Sequence, residues 1–123
     1  MYQEEEVVEQ EANREQIRRI FDSAGDDQRF AAPEVYRHSW GRLNGVVTLN
    51  LSNWPEVKPD SLMFASVGEG IVDGDPTAGK FMGDARFTVN NVVPEDGNIR
   101  IGVTIDWEEP IVLFVDYMLV QPF

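Results

Sequence analysis

The 123-residue chain is strongly acidic, because 22 Asp and Glu residues outnumber 10 Lys and Arg residues and leave a net charge of −12 at pH 7. This charge repels phosphate groups, and nucleic-acid binding normally depends on clustered Lys and Arg, so nucleic acids and anionic membranes are excluded as partners. The absence of cysteine excludes disulfides and thiolate chemistry, and the single histidine, His38, is too few for a histidine zinc site within one chain.

The first 28 residues are predicted to form an acidic helix and a linker. Residues 4–23 are rich in Glu, Gln, Arg and Ala, contain no Gly or Pro, and are followed by Gly25, a suitable helix terminator. The strongest apolar patch of this helix consists of Ile17, Ile20 and Phe21. Because the apolar stripe is thin toward the N-terminus, we expect the helix to dock mainly through this patch.

The start of the chain, MYQEEE, lacks the basic residues and the apolar stretch of a secretory signal. No later run approaches the roughly 18 to 20 apolar residues that a transmembrane helix needs. The sequence therefore predicts a cytoplasmic protein.

Residues 29–123 are predicted to form a single β domain. Candidate strands such as residues 35–40 and 46–51 alternate in character, and turns such as Asn44-Gly45 join them. The pattern gives about six short strands without intervening helices. We therefore expect an all-β fold with one N-terminal helix, either an antiparallel β-sandwich of jelly-roll-like topology or a small barrel.

The last two strands are predicted to form a β-hairpin at the centre of a sheet. Residues 99–107 alternate apolar and polar side chains, whereas residues 111–120 are apolar on both faces. One face of the final strand is expected in the core, and it consists of Ile111, Leu113, Val115, Tyr117 and Leu119. The opposite face consists of Val112, Phe114, Met118 and Val120. The helix patch is too small to shield that whole face from solvent. The sequence therefore predicts a homo-oligomer in which a second subunit packs against this face.

A carbohydrate-binding module is one alternative function, because β-sandwich modules can stack sugar rings on exposed aromatic side chains. Trp54 lies in an Asn-Trp-Pro loop and is the best candidate for such a platform, with Asn53 and Trp40 as further candidates. Trp107 shares the parity of the core residues of its strand, so we expect it to be buried.

Calcium is the one cofactor that the sequence suggests. Its candidate ligands are Glu69, Asp73, Asp75 and Asp84, which lie in or beside a glycine-rich passage. Residues 74–80 of the same passage match the start of a phosphate-binding P-loop, but Phe81 and a strand pattern follow. Since a P-loop needs a hydroxyl residue and a helix at that point, nucleotide hydrolysis is not expected.

His38 is the candidate catalytic residue if the chain is an enzyme. Alternation places Tyr36 and His38 on one strand face. Tyr36, Asp106 or Glu108 could serve as the polar partner of this histidine in acid/base chemistry. No intact catalytic motif accompanies this histidine, so a sheet histidine without catalytic role is the other interpretation. We therefore expect a non-catalytic β-sandwich module for binding or assembly that self-associates, with a protein or carbohydrate as a further candidate partner.

Overall fold

The computed structural model describes residues 8–16 and 33–120, which form an all-β structure of two four-stranded sheets. The strands are β1 (Val8–Asn13), β2 (Glu34–Leu43), β3 (Gly45–Ser52), β4 (Leu62–Gly70), β5 (Lys80–Phe81), β6 (Arg86–Pro94), β7 (Ile99–Asp106) and β8 (Ile111–Val120). The helical segments of these ranges are two short 3₁₀ turns, Arg14–Gln16 and Pro76–Ala78. Neither turn is long and apolar enough to cross a membrane.

The two sheets enclose one hydrophobic core. Sheet A has the strand order β1-β3-β7-β6, and sheet B has the order β2-β8-β4-β5. Leu49 and Ile101 of sheet A belong to the same buried cluster as Val115 and Tyr117 of sheet B. This arrangement confirms the all-β, sandwich-like prediction. Neighbouring strands are antiparallel except that β1 runs parallel to β3, so the purely antiparallel expectation is wrong at that edge.

Residues 8–13 form the edge strand β1, so the predicted helix is wrong in this part of the chain. The strand pairs with β3 from Val8 opposite Val47 to Asn13 opposite Ser52. Ala12 packs against the core from this position. Strand pairing and burial therefore override the helical preference of a Glu-rich stretch. The rest of the predicted helix, with Ile17, Ile20 and Phe21, lies outside the described residues.

Strands β7 and β8 are central, as predicted, but they do not form a hairpin. β7 pairs with β3 and β6 in sheet A, whereas β8 pairs with β2 and β4 in sheet B. The residues between them, 107–110, connect the two sheets. The two predicted core series are otherwise confirmed, because Ile99 to Ile105 and Leu113 to Leu119 alternate between buried positions and less buried ones. In β8, Val112 and Phe114 are exceptions, since they are also buried.

The loop between β3 and β4 closes one end of the core. Trp54 and Val57 are both 0 % exposed in this loop. The Trp54 backbone N–H donates to the Gly97 carbonyl at 2.9 Å, and the Gly97 N–H donates to the Val57 carbonyl at 2.9 Å. The Trp54 indole N–H donates to Glu34 Oε2 at 2.6 Å, and its ring meets the Tyr36 ring edge-on with centroids 5.0 Å apart. The prediction that Trp54 is exposed is therefore wrong, because the loop folds inward onto the β6–β7 turn.

Candidate functional site

The proposed carbohydrate platform is not assembled by the structure. Besides Trp54, the Trp40 side chain is buried, and its Nε1–H donates to the Tyr117 hydroxyl at 2.9 Å. Asn53 is exposed at a left-handed backbone position and donates to Asn13 Oδ1 at 3.1 Å. Trp107, which was predicted to be buried, is 40 % exposed just after β7 ends. Two of the three indoles are therefore structural side chains.

The candidate acid/base residues are not brought together. His38 packs edge-on against the Trp40 ring with centroids 4.8 Å apart, and burial lowers its pKa, which favours the neutral ring at pH 7. Tyr36 is buried on the same strand. Asp106 is exposed at the end of β7, in the other sheet, and no hydrogen bond joins it to His38. The geometry therefore provides no acid/base pair around His38 within the described residues.

The candidate calcium ligands are also separate from one another. Asp75 accepts a hydrogen bond from the Thr77 backbone N–H at 3.0 Å and caps a 3₁₀ turn. Asp73 lies 3.9 Å from Arg42 Nε. Within residues 8–16 and 33–120, no group of three or more His, Cys, Asp or Glu side chains could hold a metal ion. Glu69 and Asp84 thus do not combine with Asp73 and Asp75 into a calcium site.

Part of the predicted interface face of β8 is covered within the chain itself. Phe114 is fully buried and Val112 is nearly so. The Phe114 ring lies over Gly70, where a methyl group would come within 2.3 Å of the ring. In the following loop, the Gly74 backbone N–H donates to Ser39 Oγ at 2.9 Å. Phe114 and Val112 therefore need no second subunit to cover them.

The other end of this face carries an apolar surface that we call the outer apolar strip. Its members are Val35, Leu62, Phe64, Met118 and Val120. The register places Leu62 opposite Val120, and it places Met118 between Phe64 and Val35. Leu62 is 65 % exposed and Phe64 is 57 % exposed, whereas Met118 and Val120 are partly exposed. The strip thus joins two predicted interface residues, Met118 and Val120, to three that the sequence interpretation missed.

A sequence signal exists for two of the missed residues, Leu62 and Phe64. Residues 62–65 are apolar at four consecutive positions, Leu-Met-Phe-Ala, and residues 111–115 are apolar at five. In β4 the odd-numbered residues Met63 and Ala65 pack against the core, which leaves Leu62 and Phe64 pointing outward. The pattern of a strand that is apolar on both faces therefore indicated a second apolar surface here as well.

A charged cluster lies beside the outer apolar strip. Asp116 accepts hydrogen bonds from both Nε and Nη2 of Arg37, from Lys80 Nζ at 2.7 Å and from Ser66 Oγ at 3.2 Å. Burial acts to raise the pKa of Asp116, but the hydrogen bonds and charges of Arg37 and Lys80 outweigh it and hold that pKa below its usual value. The cluster carries two positive charges and one negative charge.

This cluster is expected to make the folded state sensitive to acid. Because the pKa of Asp116 is lower in the folded state, its contribution to stability is present above the ordinary carboxyl pKa of about 4 and is lost as the pH falls through the lower folded-state value. Asp116→Asn should therefore show a smaller loss of stability than the unchanged protein between about pH 4 and pH 2. Urea midpoints at each pH measure the difference; parallel curves for both proteins would contradict the assignment.

The outer face of sheet A has a different character. It carries a shallow polar cavity of about 220 Å³, lined by residues that include Glu9, Glu11, Asn50, Glu95, Asn98 and Arg100. These side chains bond to one another: Asn98 Nδ2 donates to Asn50 Oδ1 and to Glu95 Oε1 at 2.7 Å each. Three of the eight residues that line this cavity are acids, whereas Asp116 is the one acid among the outward residues of β4 and β8. The sandwich therefore has an acidic face and a mostly apolar face.

In comparisons with known proteins, the chain matches no protein family, no curated protein and no solved structure.

Proposed function

We propose that the protein is a non-catalytic binding and assembly module that self-associates through the outer apolar strip of sheet B. The observation that carries the proposal is the exposure of Leu62 and Phe64, at 65 % and 57 %, on the outward face of β4. Isolated exposed apolar residues are common in monomers, but here two large ones adjoin Val35, Met118 and Val120.

The distribution of charge over the surface favours a second copy of the chain as the partner of this strip. The chain carries a net charge of −12, so two copies repel each other over most of their surface. On sheet B the carboxylate of Asp116 is neutralised by Arg37 and Lys80, and the strip itself carries no charge. A two-fold contact of strip against strip keeps the acidic face of sheet A away from the interface.

The driving force is the removal of apolar surface from water. Complete burial of a Leu or Phe side chain contributes about 1.5–3 kcal/mol, and a two-fold contact uses each residue twice. Leu62 and Phe64 are more than half exposed, so each of their four copies in a two-fold contact supplies part of such a contribution. The cost of association must be subtracted from the sum. Added salt should strengthen the contact because it screens the repulsion between the two acidic chains.

The proposal is tested by light scattering with size-exclusion chromatography. A single chain has a mass of 13.9 kDa, so the unchanged protein is expected at a multiple of that mass. Phe64→Ser should return it to the single-chain mass, since the substitution removes the largest exposed ring of the strip and disturbs no core contact. Met82→Ser is the matched control, because Met82 is also exposed but lies outside the strip.

Two results would contradict the proposal. A single-chain mass for the unchanged protein at every concentration and salt level would remove self-association altogether. An oligomer that survives Phe64→Ser and Leu62→Ser would place the contact on another surface.

A further inference from the structure

A cavity opens at the edge of the sandwich, where the end of β4, strand β5 and the start of β6 come together. This edge cleft has a volume of about 410 Å³, and its lining includes Val67, Glu69, Phe81, Met82, Ala85 and Phe87. Val67 and Phe87 also pack against the hydrophobic core, so the floor of the cleft reaches the interior. Binding sites for small molecules usually have volumes of about 300–1,000 Å³ and mostly apolar linings, and the edge cleft meets both conditions.

The rim of the edge cleft exposes apolar side chains to solvent. Met82 is 99 % exposed, and Phe81 is close to half exposed. Two large adjacent apolar residues at the mouth of a cavity mark a surface suited to an apolar ligand. The flexible, polarisable thioether of Met82 can also adapt to the shape of such a ligand.

One carboxylate stands in this apolar wall. Glu69 lies on the inner side of β4 and is partly buried, and a methyl group at Gly83 would come within 2.7 Å of its Oε1. A side chain at residue 83 would therefore push the Glu69 carboxylate away from its present position. Among the described residues no cation pairs with Glu69, because Lys80 of the same wall directs its ammonium to Asp116 at 2.7 Å and to Ser66 at 3.3 Å.

We propose that the edge cleft binds a small organic cation with an apolar body, such as an arylalkyl amine. The ammonium group pairs with the Glu69 carboxylate, and the apolar body lies on Val67, Phe87 and Met82. A charge-assisted hydrogen bond in a partly dry site is stronger than one in water, and it selects a cation over a neutral or anionic analogue. The net charge of −12 favours approach of the same ligand. This site does not depend on self-association.

The test compares three probes that share one apolar body: 2-phenylethylamine, 2-phenylethanol and 3-phenylpropionate. Titrations followed by ¹H–¹⁵N NMR report both the affinity and the place of binding. We expect the amine to bind more tightly than the other two and to shift the signals of Val67, Ala85 and Phe87. Glu69→Gln should weaken binding of the amine about tenfold or more and leave binding of the alcohol unchanged.

Three further variants of the protein test whether binding of the amine depends on the edge cleft itself. Glu109→Gln removes one exposed carboxylate outside the edge cleft and should leave the affinity for the amine unchanged, which separates local pairing from general attraction to an acidic protein. Gly83→Ala should weaken binding of the amine, because the added methyl group crowds the Glu69 carboxylate. Phe64→Ser should bind the amine normally even if it abolishes self-association.

The proposal is overturned by any of three outcomes: no probe shifts the cleft signals at millimolar concentration, the three probes bind equally, or Glu69→Gln binds the amine as the unchanged protein does.

Discussion

Trp54→Ala is expected to destabilise the fold by about 3–5 kcal/mol, the usual cost of removing a large buried aromatic side chain. Trp54 is fully buried, closes one end of the core and donates its indole N–H to Glu34 at 2.6 Å. Since small domains are stable by only about 5–15 kcal/mol, a loss of this size leaves a marginal protein. Far-UV circular dichroism in urea is the suitable measurement, because the substitution also removes a fluorophore.

Two variants separate the causes of that loss. Trp54→Phe keeps an aromatic ring but removes the donor to Glu34, so its destabilisation should lie between those of the unchanged protein and Trp54→Ala. Trp107→Ala removes the same side-chain type from a site that is 40 % exposed, and its effect should stay within about 0.5 kcal/mol. If Trp107→Ala proved more damaging than Trp54→Ala, the placement of the β3–β4 loop would be wrong.

Gly70→Ala is expected to cost about 1–3 kcal/mol or more, although it adds only one methyl group. The new carbon would lie 2.3 Å from Phe114 Cε1 and 2.4 Å from Cδ1, far inside van der Waals contact. Phe114 is fully buried, so its ring cannot relieve the contact by moving freely into solvent. Urea unfolding measures the loss directly.

Other glycines provide the controls for this substitution. Gly68→Ala, in the same strand, would meet the flexible Lys80 stem at 3.1 Å, and it should cost less. Gly102→Ala would meet its nearest atom at 3.7 Å and should be neutral or slightly stabilising, because alanine restricts the unfolded chain. Adding Phe114→Leu to Gly70→Ala should recover part of the stability. Additive costs in that double variant would show that the ring is not the obstacle.

The sequence predicts the core well because strict alternation leaves few alternatives. Ile99 to Ile105 repeat with a period of two, so one face must be buried, whichever strands are neighbours. The same pattern carries no information about partners. A short connection such as residues 107–110 is compatible with a hairpin and with a crossing between sheets, and the structure has the crossing.

The errors arise where tertiary contacts override local preference. Residues 8–13 have helical composition but complete a sheet edge beside β3. Trp54 follows an Asn in a polar, proline-containing loop, which is typical of exposed chain, yet hydrogen bonds to Gly97 hold that loop over the core. Glu69, which the sequence placed in an acidic group of calcium ligands, is instead the one carboxylate in a mostly apolar wall. No sequence pattern separates these two environments.

The placement of β7 and β8 has a consequence for synthesis of the protein. Each is a central strand, since β7 separates β3 from β6 and β8 separates β2 from β4. A nascent chain that ends before residue 99 therefore lacks one of the two inner strands of each sheet. It exposes the strand edges and apolar faces that β7 and β8 later cover. The sandwich can therefore close only after residues 99–120 have left the ribosome.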